Sequence, residues 1–211
     1  MKLNPYPEYK NSGVPWLGNI PAHWHEKRAK YFFKEIDERS QAGDEEMLSV
    51  SHITGVTPRS QKNVTMFMAE SNVGQKCCQP GDLVINTLWA WMSALGVSNY
   101  AGIVSPAYGI YRQRGNQDYD WLYLDNLLRI ESYRSEYICR STGIRSSRLR
   151  LYPDKFLSMP VICPPLEDQQ AIARFLKAQN LLYRKFIRNK RRLIDLLKEQ
   201  KQTVDGVVTR F

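Results

Sequence analysis

Residues 164–208 read PPLEDQQAIARFLKAQNLLYRKFIRNKRRLIDLLKEQKQTVDGVV. Behind Pro164-Pro165 there is no further proline, and no glycine before Gly206. Ile172, Phe175, Leu176, Gln179, Leu182, Phe186, Leu193, Leu196, Leu197, Val204 and Val207 recur at three- and four-residue spacing, the period of one helix face. Taken as heptads, one row holds Ile172, Gln179, Phe186, Leu193, Gln200 and Val207. Its companion holds Phe175, Leu182, Asn189, Leu196 and Thr203. The spacing predicts a single helix from Glu167 to about Val208, roughly 60 Å long at 1.5 Å per residue. One small domain cannot cover such a length, so the helix calls for a second helix, from this chain or another. Polar Gln179, Asn189 and Gln200 within the rows lower stability and can set register.

Upstream the texture changes. Pro5, Pro7, Pro15 and Pro21 forbid a long helix in residues 1–26, which read as an extended arm held by Trp16 and Trp24 around a turn at Gly18–Pro21. An amphipathic helix is expected near Lys27 to Asp37, with Tyr31, Phe32, Phe33 and Ile36 on its apolar face. Short apolar runs between turn residues predict strands at Met47–Ile53, Asp82–Asn86, Ala94–Ser98, Tyr108–Gln113, Leu149–Tyr152 and Met159–Cys163. Residues Tyr119 to about Tyr137 read as helical, capped by Asp118 or Asp120. The fold class is therefore α+β. A mixed α/β domain with a small sheet covers residues 1–165, and a long coiled-coil helix covers 166–211.

The chain has 211 residues and a formal charge of +9, a balance that points to a polyanionic partner, most often nucleic acid. No run approaches the ~20 apolar residues of a membrane span, and no signal peptide follows Met1, so a cytoplasmic protein is expected. Cys77 and Cys78 are adjacent, which is not zinc-ligand spacing. With Cys139 and Cys163 they read as reduced, small apolar side chains, and no metal site is expected. Asn4-Pro5-Tyr6 is a fragment of an adenine-methyltransferase loop without its second proline. Pro153-Asp154 with Glu167-Asp168-Gln169 lacks the lysine of a nuclease site. No glycine-rich cofactor loop or nucleotide loop is present. A binding protein without catalytic residues is the expectation.

Two segments carry candidate DNA contacts. In the stretch Arg140 to Arg150, Arg140, Ser141, Thr142, Arg145, Ser146, Arg148 and Arg150 mix guanidinium forks with hydroxyls, the groups that grip phosphates and read guanine edges. A solvated loop is the plainer alternative. Thr87 and Trp89, within Asn86–Met92 directly after a predicted strand, suggest a second DNA-facing loop or, equally, core plugs. Arg184, Lys185, Arg188, Lys190, Arg191 and Arg192 fit DNA contacts and the ordinary flanks of a coiled-coil row alike. Ile172, Phe175, Leu182, Phe186, Leu193 and Leu196 are the candidate pairing residues.

Several stretches, in order, resemble the specificity subunits of type I restriction-modification enzymes. Gly13–Trp24 is similar to the family's opening segment, Pro80–Val84 to its strand after a turn, and Gly102–Tyr108 to a stretch of one class of its recognition domains. Phe156–Val161 followed by Pro164–Ala173 resembles the junction into its spacer helix. The resemblance implies a target recognition domain that reads half of a bipartite site in double-stranded DNA. It implies a scaffold for modification methyltransferase subunits and a restriction motor-nuclease subunit. It places S-adenosylmethionine, ATP and Mg in those partners and no cofactor in this chain. Family members carry two recognition domains and two spacer helices, whereas this chain has one of each. A natural half-subunit that forms a homodimer, or a fragment pairing with a second half, are both open. So are a coiled-coil scaffold that does not read DNA, and a recognition module of another restriction or methylation enzyme.

Overall fold

The computed structural model describes residues 5–62, 71–115, 118–145 and 148–208. The chain divides into two compact units, one running to Gln169 and one from Gln170 onward.

In the first unit, short strands follow one another: β1 (Tyr9–Asn11), β2 (Asn19–Pro21), β3 (His25–Arg28), β4 (Phe33–Ile36), β5 (Leu48–Ser51), β6 (Gly55–Pro58), β7 (Lys76–Cys78), β8 (Leu83–Ile85), β9 (Leu95–Val97), β10 (Gly102–Val104) and β11 (Gly109–Gln113). Helices α1 (Trp121–Leu127), α2 (Glu131–Arg140) and α3 (Pro153–Leu157) come next, then β12 (Pro160–Cys163) and the long α4 (Leu166–Val208). The largest sheet has the order β4-β11-β8-β9. Four two-stranded pairs, β1-β2, β3-β12, β5-β6 and β7-β10, complete the strand pairing among the described residues, and every ladder is antiparallel. The one parallel pairing among the described residues is the isolated bridge Met47↔Ile103.

The apolar runs of the sequence become the centre of this unit. Leu83, Val84 and Ile85 are all buried in β8, as a strand covered on both faces requires. Ile36, Leu48, Val50, Val56, Cys78, Val84, Val104 and Ile110 form one cluster, with Tyr108 against it. Buried Asp82 fixes the turn into β8: it accepts a hydrogen bond from Gln79 N at 2.9 Å and a two-pronged one from Arg112 of β11, at 2.8 and 2.9 Å. The four cysteines are free. Burial pushes the Cys78 thiol up to about 12, so it stays protonated and inert. Among the described residues no group of three or more His, Cys, Asp or Glu is placed to hold a metal, and no helix is long and apolar enough to cross a membrane.

Three expectations change. Residues 27–37 form β3, one 3-10 turn at Ala29–Tyr31 and β4, with no amphipathic helix. Phe32, Phe33 and Ile36 are buried as expected while Tyr31 is exposed, and β12 and β11 offer partners distant in sequence, with Val161 opposite Lys27 and Ile110 opposite Ile36. Ladder hydrogen bonds with them replace helical ones, a tertiary choice that local periodicity does not register. Residues 119–137 break into α1 and α2. Asp120 caps α1 by accepting from Tyr123 N at 2.9 Å, and the Tyr137 hydroxyl donates to the Leu128 carbonyl at the break. Arg129 in that break reaches the carbonyls of His52 and Leu95 and pairs with Asp125. Residues 149–152 form no strand; their ordered pairing is a bridge between Thr142 and Arg150.

The arm is pinned by its aromatics. Trp16 meets Tyr133 edge-on at 5.0 Å. Asp168, in the first turn of α4, accepts from His23 Nε2 at 2.7 Å and from Trp24 Nε1 at 2.8 Å. Next to it, fully buried Gln169 donates to the carbonyls of Asp118 and Pro164 and accepts from Asp120 N at 2.9 Å.

In the second unit, α4 continues as an uninterrupted helix. Ile172 and Phe175 are half-buried. Leu182, Phe186, Leu193, Leu196, Leu197 and Val204 are all exposed.

Candidate nucleic-acid interface

The two sequence segments singled out for DNA contact lie more than fifty positions apart, and the fold joins them. Leu151 N donates to the Thr87 carbonyl at 3.0 Å. Leu88, Thr142, Gly143, Arg148, Arg150 and Tyr152 line one open cleft of about 550 Å³.

The first wall is built from the turn after β8. Asn86 is buried; its side-chain amide donates to the Tyr108 hydroxyl at 3.0 Å, and its side-chain oxygen accepts from Leu88 N. Thr87 is buried too, its hydroxyl donating to the Ala107 carbonyl at 2.6 Å. A 3-10 turn at Ala90–Met92 closes on Ser93, which sits at φ 59. Trp89 is half exposed and stacks on Trp91 at 6.0 Å. Burial raises the Tyr108 phenol, partly offset by the Arg59 cation and the Asn86 hydrogen bond, so Arg59 and Tyr108 border the same region.

The second wall is the basic loop after α2. Arg140 remains on the helix, its Nε on Glu136 at 2.6 Å. The Ser141 hydroxyl donates to the Tyr137 carbonyl and closes the helix end. Thr142 and Arg150 then exchange backbone hydrogen bonds at 3.0 and 2.9 Å, and Arg148 N donates to the Arg145 carbonyl at 2.8 Å. Gly143 is required here. Its φ is +149, and a Cβ would meet the Arg148 carbonyl oxygen at 2.5 Å. Arg145, Arg148 and Arg150 are exposed, and their guanidinium groups have no ion pair or hydrogen bond among the described residues. Ser146 lies outside the described residues.

The predicted set therefore sorts by geometry. Thr142, Arg145, Arg148 and Trp89 present side chains outward. Arg140, Ser141 and Thr87 spend theirs on holding the two walls. Arg150 of the same basic stretch lines the cleft, and Leu88 and Tyr152 join it there without having been singled out as contacts from the sequence. Tyr152 lies two residues beyond Arg150, and two-residue alternation from Arg148 through Arg150 would have found it. Leu88 carries no sequence signal, since only the Leu151–Thr87 hydrogen bond brings it there.

Two solved structures share this architecture. One comes from work on complex assembly and conformational transition of the type I R-M system. It matches over 82% of this chain and 41% of its own, with a TM-score of 0.55 and 17% identity. The other is the HsdS subunit from Thermoanaerobacter tengcongensis, matching over 82% of this chain and 40% of its own, with a TM-score of 0.53 and 17% identity. The chain has the fold of a type I specificity subunit. It spans about two fifths of the length of those solved specificity-subunit-like chains. No family sequence model and no curated protein matches the sequence. At this identity the agreement is one of fold.

Proposed function

We propose that this chain is the DNA target recognition subunit of a type I restriction-modification complex, reading one half of a bipartite site in duplex DNA. The observation that carries the reading is the joining of two distant segments into one cleft lined by Arg148 and Arg150, with Arg145 on the same loop and all three guanidinium groups without a partner among the described residues, on a fold shared with specificity subunits. Unpaired guanidinium groups on an anchored backbone keep their forks free for phosphates and base edges. Arg145, Arg148, Arg150, Thr142 and Trp89 are the contact residues. Arg140, Ser141 and Thr87 position them, and Ser146 is a further contact residue of the same loop.

In this reading the chain is non-catalytic and works in the cytoplasm. Methyltransferase subunits and a motor-nuclease subunit supply the chemistry, together with S-adenosylmethionine, ATP and Mg. The exposed apolar row of α4 pairs with a second copy of the chain or with a second spacer helix, which sets two recognition domains on one DNA. A homodimer predicts inverted half-sites around a spacer of fixed length.

Arg148→Ala tests the cleft. If Arg148 reads a base, binding to the preferred duplex weakens by about 1–3 kcal/mol and discrimination at one position is lost. If it holds a phosphate, all sequences weaken alike and the salt dependence flattens. Unchanged affinity for every duplex, with Arg145→Ala equally silent, removes the cleft from the interface. Mapping methylated bases in cells that express the chain with a modification partner identifies the target itself.

A further inference from the structure

Ile144 is the most exposed large apolar side chain among the described residues, at 102% of a free reference. It contributes nothing to the core, so folding does not explain it. Its backbone, in contrast, is tightly specified. Gly143 precedes it in a conformation other residues reach only with strain, and the Thr142–Arg150 bridge anchors the base of the loop. Unpaired Arg145 follows directly, and Arg148 N closes back onto the Arg145 carbonyl. An exposed apolar side chain thus follows an anchored glycine, with Arg145 next to it in sequence and Arg148 in the same loop.

Apolar side chains meet DNA bases either against a thymine methyl in the major groove or as wedges that slip between base pairs from the minor groove, unstack the step and kink the DNA. A solvated loop gains nothing from a bare isoleucine, whereas an unstacked step offers it an apolar slot and offers the arginines the surrounding groove. We propose that Ile144 is an intercalating wedge that opens one base step of the recognised duplex. The proposal rests on the DNA-recognition reading and adds to it a distortion of the DNA. The half-site would then be selected partly by how easily one step unstacks, with pyrimidine–purine steps favoured.

The test uses the full chain to select a duplex from a randomised pool. The selected duplex is then made with 2-aminopurine at successive positions, because its fluorescence rises when the base unstacks. The wild-type chain should raise fluorescence at one step. Ile144→Ala should abolish the rise and weaken binding by about tenfold, the order expected for an isoleucine side chain returned to water. Ile144→Leu should keep both the rise and the affinity. A bound wild-type complex without a rise, or a rise that survives Ile144→Ala, overturns the wedge and leaves DNA recognition standing. Failure of the wild-type chain to select any duplex overturns both.

Discussion

Phe33 and Phe186 are the same side chain in opposite settings. Phe33 is 1% exposed, stacked on Tyr119 at 5.7 Å and tilted against Phe156. Phe186 is 58% exposed, with Lys190 over its ring as its described ring contact. Leucines divide the same way: Leu83 and Leu124 at 0% in the first unit, Leu193 and Leu196 at 48% and 52% on α4. The first unit buries most of its apolar runs in a core of its own. The helix carries an equally regular apolar row and leaves it to water. Helices gain most of their stability from packing such a face, and pairing with another helix, as proposed above, would supply it.

The largest expected effect breaks that contrast at its exposed end. Leu193→Glu with Leu196→Glu should abolish association, each leucine forfeiting about 1.5–3 kcal/mol of burial in the paired state. Thermal unfolding of the first unit should not change. Sedimentation reads the first result, and affinity for a two-part site should fall towards that of a half-site as the tether is lost. A wild-type chain that stays monomeric at micromolar concentration yet binds a bipartite site at full affinity contradicts pairing.

A second, smaller effect sharpens the contrast at the boundary between the units. Gln169 is fully buried with three hydrogen bonds, while Gln170 is exposed. Gln169→Ala should destabilise the first unit by roughly 1–3 kcal/mol, because buried groups of Asp118, Asp120 and Pro164 lose their partner. Gln170→Ala should stay within about 0.5 kcal/mol. Denaturant titration of both variants checks the pair, and equal effects would deny that Gln169 clamps the junction.

The smallest effect is on pH dependence. Burial pushes the Asp168 carboxyl up, but hydrogen bonds from His23 and Trp24, the His23 charge and a hydrogen bond from Tyr6 more than offset it, leaving it below the ordinary value. A depressed carboxyl binds its proton more weakly folded than unfolded. It contributes stability above the ordinary aspartate range near 3.8 and loses it as pH falls through the depressed value. Asp168→Asn should therefore cost under about 1 kcal/mol at neutral pH, as suits a partly exposed pair. Stability curves of variant and wild type should converge as pH falls through the depressed Asp168 value.

Much of this fold is legible locally. Strands β5, β8, β9, β11 and β12 lie within the apolar runs that predict them, because each run is bounded by turn residues and supplies its own burial signal. Strands β6, β7 and β10 were missed. At three or four residues, their pairing with β5 or with each other carries the information that their sequences lack. The candidate site divides likewise. Arginines and hydroxyls mark the loop, yet which of them stay free is set by Glu136 and by the Tyr137 carbonyl, four residues or fewer away but visible only once α2 ends at Arg140.

The sequence by itself determined the long helix, its unshared apolar row and the basic loop, since periodicity and charge are local properties that survive without a fold. Tertiary structure alone decided that residues 27–37 are strands, that α1 and α2 part at Arg129, and that Leu88 and Tyr152 meet across one cleft. Each of those outcomes depends on a hydrogen-bond partner many residues away: β12, the His52 carbonyl or Thr87. Backbone groups bond to whichever partner the completed core brings within 3 Å, and short segments cannot name that partner in advance.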